Sequence, residues 1–381
     1  MLKFFSRNKE SRKALLDTSN ERHTPKFHKL TVSDVRRETA DCVSVAFDLP
    51  EDLEGNYKFK PGQYLTLRTD IGGEDIRRSY SICSCPFDGE LRVAIKRVEG
   101  GVFSTYANHD LKVGDVLDVM TPIGNFTTEF DEKNTKQYVA IAAGSGITPV
   151  MSLIKSAMIA EPNSKFTLIY GNRNSASVIF KDEIEDLKDA HMNRLEVHHV
   201  LSREDQGSDL LKGRIDAEKV KGFAERFFDV SKTDAYFLCG PEEIIHASED
   251  ALASLGVSKD KIHFELFTSS TDAAPKKTES ESTSSSNDVL SSVTVILDGD
   301  ETHMDISTKG KTILDSALDA GADVPFACKG AVCCTCRAKV LEGSAEMEMN
   351  YALTDEEVEE GYILTCQSHP TAEKVVVSFD E

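Results

Sequence analysis

The chain has 381 residues, 40% of them hydrophobic, and carries a formal net charge of −21. That length exceeds one ordinary domain and leads to an expectation of two or three, each able to bury a core. No apolar run approaches the roughly 20 residues of a spanning helix, and such acidity leaves no basic face for nucleic acid, so neither membrane nor nucleic acid is an expected partner.

The opening MLKFFSRNKE is too short in apolar residues for a secretory signal, so the expected compartment is the cytoplasm, where thiols stay reduced. Residues 1–25 are polar and without sustained periodicity, and read as a mobile tail. Over 26–130 the segments KLTVSDV, DCVSVAFDL, QYLTLRT and LRVAIKRV alternate apolar with polar residues between turn clusters, as in an antiparallel barrel or sandwich. Within this region RRSYSIC sets Arg78, Tyr80 and Ser81 in the pattern R-x-Y-S. A guanidinium can clamp a phosphate, a ring can pack on a flat heterocycle, and a hydroxyl can hydrogen-bond a ring nitrogen. Strand alternation puts Arg78 and Tyr80 on one face and Ser81 on the other, unless the strand twists or ends. Tyr80 alone would serve equally well as a core or edge residue. In EGGVFSTYA, Gly100 and Gly101 allow close backbone approach, and Ser104 is placed to cap the helix start that follows it. Such a helix start suits pyrophosphate.

From 131 to 267 the texture changes. Apolar runs YVAIAA, FTLIYG, LEVHHVL and AYFLCG alternate with helical stretches PVMSLIKSAMIA and SVIFKDEIEDLKDAH, the pattern of buried parallel strands with crossover helices. AAGSGITPVMSLI puts Gly144 and Gly146 at a strand-to-helix turn and Pro149 in the first helical turn. By itself this is equally a plain tight turn. CGPEEII ends another apolar run at Cys239, Gly240 and Pro241, where a buried strand-end thiol is the plain alternative. Ser202 and Arg203 follow LEVHHVL, and neither is the acid expected at a ribose hydroxyl. A hydroxyl with a guanidinium suits a 2′-phosphate, with Arg173 of YGNRN as helper and Glu204 as the opposing sign, so NADPH is expected ahead of NADH.

Residues 268–288 hold Ser, Thr and charge but no large apolar side chain, and read as a flexible linker. Over 289–381 a hairpin, SVTVILDGDETHMDI, turns at Asp298–Asp300, and the helix TILDSALDAG ends at Gly321. CKGAVCCTC then spaces Cys328, Cys333 and Cys336 as C-x4-C-x2-C, with Cys366 following a long acidic insert. This is the plant-type spacing for a [2Fe–2S] cluster. Zinc, the rival for four thiols, usually takes two C-x2-C knuckles, and Cys366 has no second cysteine beside it. The small residues Gly330, Ala331 and Thr335 would let backbone N–H groups reach the sulfurs. Cys334 fits no ligand spacing and reads as a bystander, while Cys42, Cys83 and Cys85 read as small core or loop residues. From Leu290 to Glu381, 18 acidic residues stand against 6 Lys and Arg, which suits steering of a basic partner or simple solubility.

Taken together, R-x-Y-S, the glycine–serine helix start, TPIGNF with Pro122, Gly124 and Phe126, and the G-x-G-x-T-P turn resemble the ferredoxin–NADP reductase superfamily from about Lys26 to Phe267. With a plant-type ferredoxin after a linker, the order looks like that of the reductase components of multicomponent oxygenases. The resemblance implies an antiparallel FAD-binding β-barrel, a Rossmann-like NAD(P)-binding domain and a C-terminal β-grasp ferredoxin. It implies FAD contacts from Arg78, Tyr80, Ser81, Gly101, Val102 and Ser104. Coenzyme contacts would come from Gly144, Gly146, Thr148, Arg173, Ser202, Arg203, Gly240 and Pro241. Ser81 and Cys239 would stand at the point of hydride transfer, with Thr148 near both cofactors, and Cys328, Cys333, Cys336 and Cys366 would ligate the cluster. The implied function is transfer of electrons from NADPH through FAD and the cluster to an oxygenase component. Two other readings share parts of the pattern: a reductase serving a different oxygenase, such as a ring-hydroxylating one, and a non-enzymatic electron carrier with a degenerate body.

Overall fold

The computed structural model describes residues 25–267 and 290–381, together with Leu16. The expected tail over 1–25, apart from Leu16 and Pro25, and the expected linker over 268–288 lie outside the described residues. Two compact units emerge, one made chiefly of Phe27–Ile76 and Tyr80–Phe267, the other of the C-terminal residues to Glu381.

The first unit opens with a six-stranded sheet. Its strands are β1 (Phe27–Thr39), β2 (Cys42–Asp48), β3 (Tyr64–Ile71), β4 (Glu74–Ser81), β5 (Leu91–Lys96) and β6 (Val116–Met120), in the order β4-β3-β6-β1-β2-β5. The β1 pairings with β2 and β6 are antiparallel, as is that of β2 with β5. A bridge from Ile82 to Val93 links the two ends of this order and closes the sheet into a barrel. Alternation does the expected work: Leu30 and Val32 of β1 are fully buried, while Lys29 and Thr31 between and beside them are exposed. Helix α1 (Val102–His109) sinks Phe103 and Ala107 into the same core.

The rest of the unit is a parallel sheet. Strands β7 (Gln137–Ala143), β8 (Lys165–Asn172), β9 (Leu195–Leu201), β10 (Ala235–Gly240) and β11 (Ile262–Leu266) lie in the order β11-β10-β7-β8-β9. Helices α2 (Ile147–Ala160), α3 (Lys181–Ala190), α4 (Ala217–Arg226) and α5 (Glu242–Ser254) connect them. Every residue of β10 is buried, which is why AYFLCG reads as a continuous apolar run. The chain runs outward from β7 through β8 to β9, then returns to place β10 on the other side of β7. The crevice beyond the carboxyl ends of β7 and β10 is therefore the topological switch point, where such sheets bind ligands. Two details differ from expectation. The helix expected over SVIFKDEIEDLKDAH starts only at Lys181, because Val178, Ile179 and Phe180 are buried in the core as a loop and Phe180 takes a left-handed φ of 59°. Phe126 and Phe130, on the barrel side of the expected boundary, pack into the second core, with Phe126 edge-on to Phe237 at 5.6 Å.

The C-terminal unit combines β12 (Leu290–Leu297), β13 (Asp300–Ser307), α6 (Ile313–Asp319), β14 (Arg337–Glu342), β15 (Ala345–Met347), α7 (Asp355–Glu359), β16 (Tyr362–Leu364), β17 (Ser368–Pro370) and β18 (Lys374–Ser378). Five strands form a mixed sheet, β13-β12-β18-β14-β16, in which β12 and β18 are parallel, and β15 pairs with β17. Helix α6 buries Ile313, Leu314 and Ala317 against Val293, Val295, Val375 and Val377, the β-grasp arrangement of one helix on a mixed sheet. The β12–β13 hairpin turns through Asp298 and Gly299, both left-handed as a two-residue turn requires. Thr312 caps α6 by accepting the Asp315 N–H at 3.2 Å.

Candidate functional site

On the barrel, β4 ends at Ser81, so the alternation that would turn Ser81 away from the site stops where it matters. The Ser81 hydroxyl donates to Glu265 Oε2 at 3.1 Å, across to β11 of the parallel sheet. Tyr80 is half-buried, with its ring tilted against Phe103 at 5.6 Å, and Arg78 is half-buried on the same strand. Phe103 belongs to α1, so Tyr80 and the helix start come together. The N-cap of α1 is Gly101, with no side-chain cap, and Val102 at its first position is 45% exposed. Ser104 lies inside the helix and does not cap it. Its hydroxyl donates to the Gly101 carbonyl at 3.3 Å and accepts the Val98 N–H at 3.1 Å, tightening the glycine turn from within. Gly101 is required by that closeness, since a Cβ would stand 2.6 Å from Ser104 Oγ. The uncapped N–H groups of the helix start suit an anion such as pyrophosphate, and the half-buried Tyr80 ring suits a flat heterocycle, so these residues fit FAD.

At the switch point, Gly144–Gly146 forms a single 3-10 turn that leads into α2. Gly146 lies against the end of β10: a Cβ there would stand 2.1 Å from the Cys239 carbonyl oxygen. This contact brings Gly144, Gly146, Cys239, Gly240 and Pro241 to one place. The Thr148 hydroxyl donates to the Ser145 carbonyl at 3.0 Å, and the Tyr170 hydroxyl donates to the Gly144 carbonyl at 3.0 Å, so the turn is held from both sides. Cys239 is 1% exposed; burial, and secondarily the nearby Glu265 carboxylate, push its thiol well above the ordinary range, so it stays protonated. Glu265 was not singled out in the sequence. HFELF is short and gives no motif, and only the pairing of Cys239 with Glu265 across β10 and β11 brings the carboxylate to Ser81.

Two strands away, Arg173 and Ser202–Arg203 follow β8 and β9. The Arg203 N–H donates to the Arg173 carbonyl at 2.7 Å, and the Ser202 N–H to the Asn172 carbonyl at 2.9 Å. Both arginines are exposed, and neither side chain forms an ion pair among the described residues. Glu204 is engaged elsewhere: it accepts the Ser175 N–H at 2.8 Å and the Ser175 hydroxyl at 2.9 Å, and these bonds lower its pKa.

In the C-terminal unit the four expected ligands fall into two pairs. The Cys328 and Cys333 sulfurs are 3.1 Å apart, and Cys336 is hydrogen-bonded to Cys366. Their mutual hydrogen bond pulls Cys333 down to about 6 while it raises Cys328, and in the second pair Cys366 is lowered while Cys336 is raised. The pairs also lie close to each other, since Cys336 feels the charges of Cys328 and Cys333 as well as that of Cys366. Left-handed Lys329 and Ala331 curl the loop so that backbone N–H groups face the sulfurs. Gly330 donates to Cys328 Sγ at 3.3 Å, Ala331 to Cys366, and Thr335 to Cys333. Two thiolate pairs with surrounding N–H donors fit a two-iron cluster. Cys334 is half-buried in the same loop, between Cys333 and Cys336 in sequence.

A closed barrel with an uncapped helix start, a parallel sheet with a glycine turn at its switch point, and two thiol pairs in a β-grasp unit define an iron–sulfur flavoprotein oxidoreductase. Comparison with known proteins gives the same result. The oxidoreductase FAD-binding domain matches residues 29–128, the oxidoreductase NAD-binding domain 140–250, and the 2Fe-2S iron-sulfur cluster binding domain 295–371. The chain is 42% identical over 354 residues to a subunit of the 1,2-phenylacetyl-CoA epoxidase of Escherichia coli (strain K12), covering 93% of this chain and 98% of that protein. It is 34% identical over 358 residues to the ferredoxin reductase component of 3-ketosteroid-9-alpha-monooxygenase from Rhodococcus rhodochrous, covering 92% and 96%. Phthalate dioxygenase reductase shares the fold, with a TM-score of 0.55 at 21% identity over 92% of this chain and 98% of that one. The chain belongs to the ferredoxin–NADP reductase superfamily, in the branch that carries a C-terminal plant-type [2Fe–2S] domain.

Proposed function

We propose that the chain is the reductase component of a phenylacetyl-CoA 1,2-epoxidase in phenylacetate breakdown, carrying electrons from NADPH through FAD and the [2Fe–2S] cluster to the oxygenase component. The observation that carries this is the 42% identity to the Escherichia coli epoxidase subunit over nearly the whole of both chains. FHKLTVSDVRRETADCVSVAF and CKGAVCCTCRAKVLEG resemble the reductase subunit of that bacterial enzyme, the second more distinctively. The protein is read as cytoplasmic, in keeping with the lack, among the described residues, of a helix long and apolar enough to cross a membrane.

When bound, the coenzyme supplies a hydride, FAD converts the electron pair to single electrons, and the cluster accepts one at a time. The chain's own part is placement. Arg78 and the α1 start would hold the FAD phosphates, with Tyr80 against its flat part. Gly144, Gly146, Thr148, Gly240 and Pro241 would seat the nicotinamide half of the coenzyme, and Cys239 would give it an uncharged floor. The Ser81 hydroxyl donates its hydrogen bond to Glu265 Oε2 beside that floor. Arg173, Ser202 and Arg203 would take the 2′-phosphate, which favours NADPH and leaves NADH as the weaker coenzyme. Domain assignments follow: 26–130 for FAD, 131–267 for the coenzyme and 289–381 for the cluster.

The second reading, a reductase for a different oxygenase, is favoured by the 34% identity to the ketosteroid monooxygenase component. Reconstitution decides between them. The purified chain with phenylacetyl-CoA epoxidase oxygenase subunits should give NADPH-dependent epoxide formation. Fast reduction of ferricyanide with no epoxide would assign the chain to another oxygenase. A chain that oxidises neither NADPH nor NADH would be a plain electron carrier.

A further inference from the structure

A segment that follows one set of proposed cofactor groups and a helix that carries another are tied together by a buried polar seam that none of those roles requires. One segment is the loop after β4, which begins at Ile82, immediately beyond Ser81. The other is α2, which starts at the coenzyme turn. Along α2, Thr148, Ser152 and Lys155 recur at i, i+4 and i+7, a single stripe of the helix. The Ser152 hydroxyl donates to the Ser84 carbonyl at 2.6 Å, with Ser152 0% and Ser84 1% exposed. One turn further, Lys155 Nζ lies 2.9 Å from Asp88 Oδ2, the two side chains being 11% and 5% exposed. Glu183 of α3 approaches the same ammonium to 2.5 Å. Asp88 is itself fixed, accepting the Cys85 N–H at 2.8 Å and the Cys85 thiol at 3.1 Å.

A buried ion pair is a costly way to gain stability, because both charges lose water, but it admits few orientations. Packed methyl groups would let the two halves slide; an ammonium on a rigid helix facing a carboxylate pinned in a turn does not. Burial disfavours the Lys155 cation, yet the Glu183 and Asp88 carboxylates outweigh it and raise its pKa, so the ammonium stays protonated.

We infer that Lys155 is a positioning residue: through Asp88, and beside the Ser152–Ser84 bond, it locks α2 and its coenzyme turn against the loop that leaves Ser81. The lock sets how the nicotinamide face meets the flavin face. Its kinetic consequence rests on the hydride-transfer reading above; its structural consequence does not.

The test uses full-length K155M, K155R and D88N, with bound FAD measured in each. In K155M, amide hydrogen exchange should rise about tenfold at 82–88 and 147–153, with β1, β2, β8 and β9 unchanged, since local opening is what the lock restrains. Flavin reduction by NADPH in stopped flow should slow about tenfold with KM within about twofold, as a small misplacement costs rate more than binding. K155R should recover most of both, D88N should match K155M, and the double variant should add nothing further. S152A keeps the charges and should raise exchange at the same two segments by a smaller factor, so it stands in if K155M does not fold. Unchanged exchange at both segments in K155M, or in S152A if that variant is used, overturns the proposal. So does a loss of FAD and of every activity in equal proportion, unrescued by arginine. If the wild-type protein is reduced by neither coenzyme, the functional reading fails while the exchange comparison still decides the lock.

Discussion

Replacing Arg203 by alanine tests coenzyme choice with little risk to the fold. The Arg203 backbone stays anchored by its N–H bond to the Arg173 carbonyl at 2.7 Å, and its side chain supports nothing else among the described residues. Neighbouring strands lie about 4.8 Å apart, so the residues that follow β8 and β9 can bring two guanidinium groups to one phosphate. Glu204 keeps its charge but forms no ion pair with them among the described residues, its Oε2 being held by Ser175 through two hydrogen bonds of 2.8 and 2.9 Å. Losing one charge-assisted hydrogen bond costs about 1.5–3 kcal/mol, and solvent exposure places this one at the low end. The expected result is about a tenfold rise in KM for NADPH, the equivalent of roughly 1.4 kcal/mol, with KM for NADH moved less than about twofold. Steady-state ferricyanide reduction with each coenzyme reads both numbers. High salt should shrink the wild-type preference for NADPH and leave the variant's ratio nearly flat, because exposed charges are screened. Equal losses for the two coenzymes would refute the assignment, and so would a wild-type preference for NADH.

Gly146→Ala should be severe, since the new methyl would meet the Cys239 carbonyl at 2.1 Å, an overlap with backbone rather than with a side chain that can move. An overpacking cost of about 1–3 kcal/mol or more is expected, seen as a lowered Tm together with loss of coenzyme-driven flavin reduction while FAD remains bound; wild-type behaviour would mean that the turn and β10 are not in contact. Cys334→Ser should keep iron, sulfide and the visible spectrum, whereas Cys336→Ser should lose or severely damage the cluster, because Cys336 pairs with Cys366 and Cys334 falls outside the C-x4-C-x2-C spacing. A cluster lost in the Cys334 variant would mean that the ligand set is wrong.

What was legible in the sequence is what local spacing can encode. Alternation gave the barrel strands, apolar runs gave β7 to β10, and C-x4-C-x2-C named three candidate ligands within nine positions. Ser104 shows the edge of that legibility. The residue was found, but whether it caps a helix or braces the turn from inside depends on a start point uncertain by a few residues. Phe180 shows another: SVIF has helical neighbours, but burial in the core took its β-branched residues out of the helix. Glu265 lay beyond reach, because it meets Ser81 across 184 residues and only the docking of β11 beside β10 brings them together. Lys155 is the sharpest case. In PVMSLIKSAMIA a lysine on an amphipathic helix reads as a solvated charge, but α2 is covered on nearly every side and the charge is buried. Cofactor-touching residues repeat as short motifs because the cofactor's shape demands them locally. The groups that align one half with the other answer only to the docked geometry, and their partners, such as Asp88 at 67 residues' remove, leave no local trace. It follows that the alignment of the halves, not the inventory of cofactor contacts, is where a structure adds most to the reading of this chain.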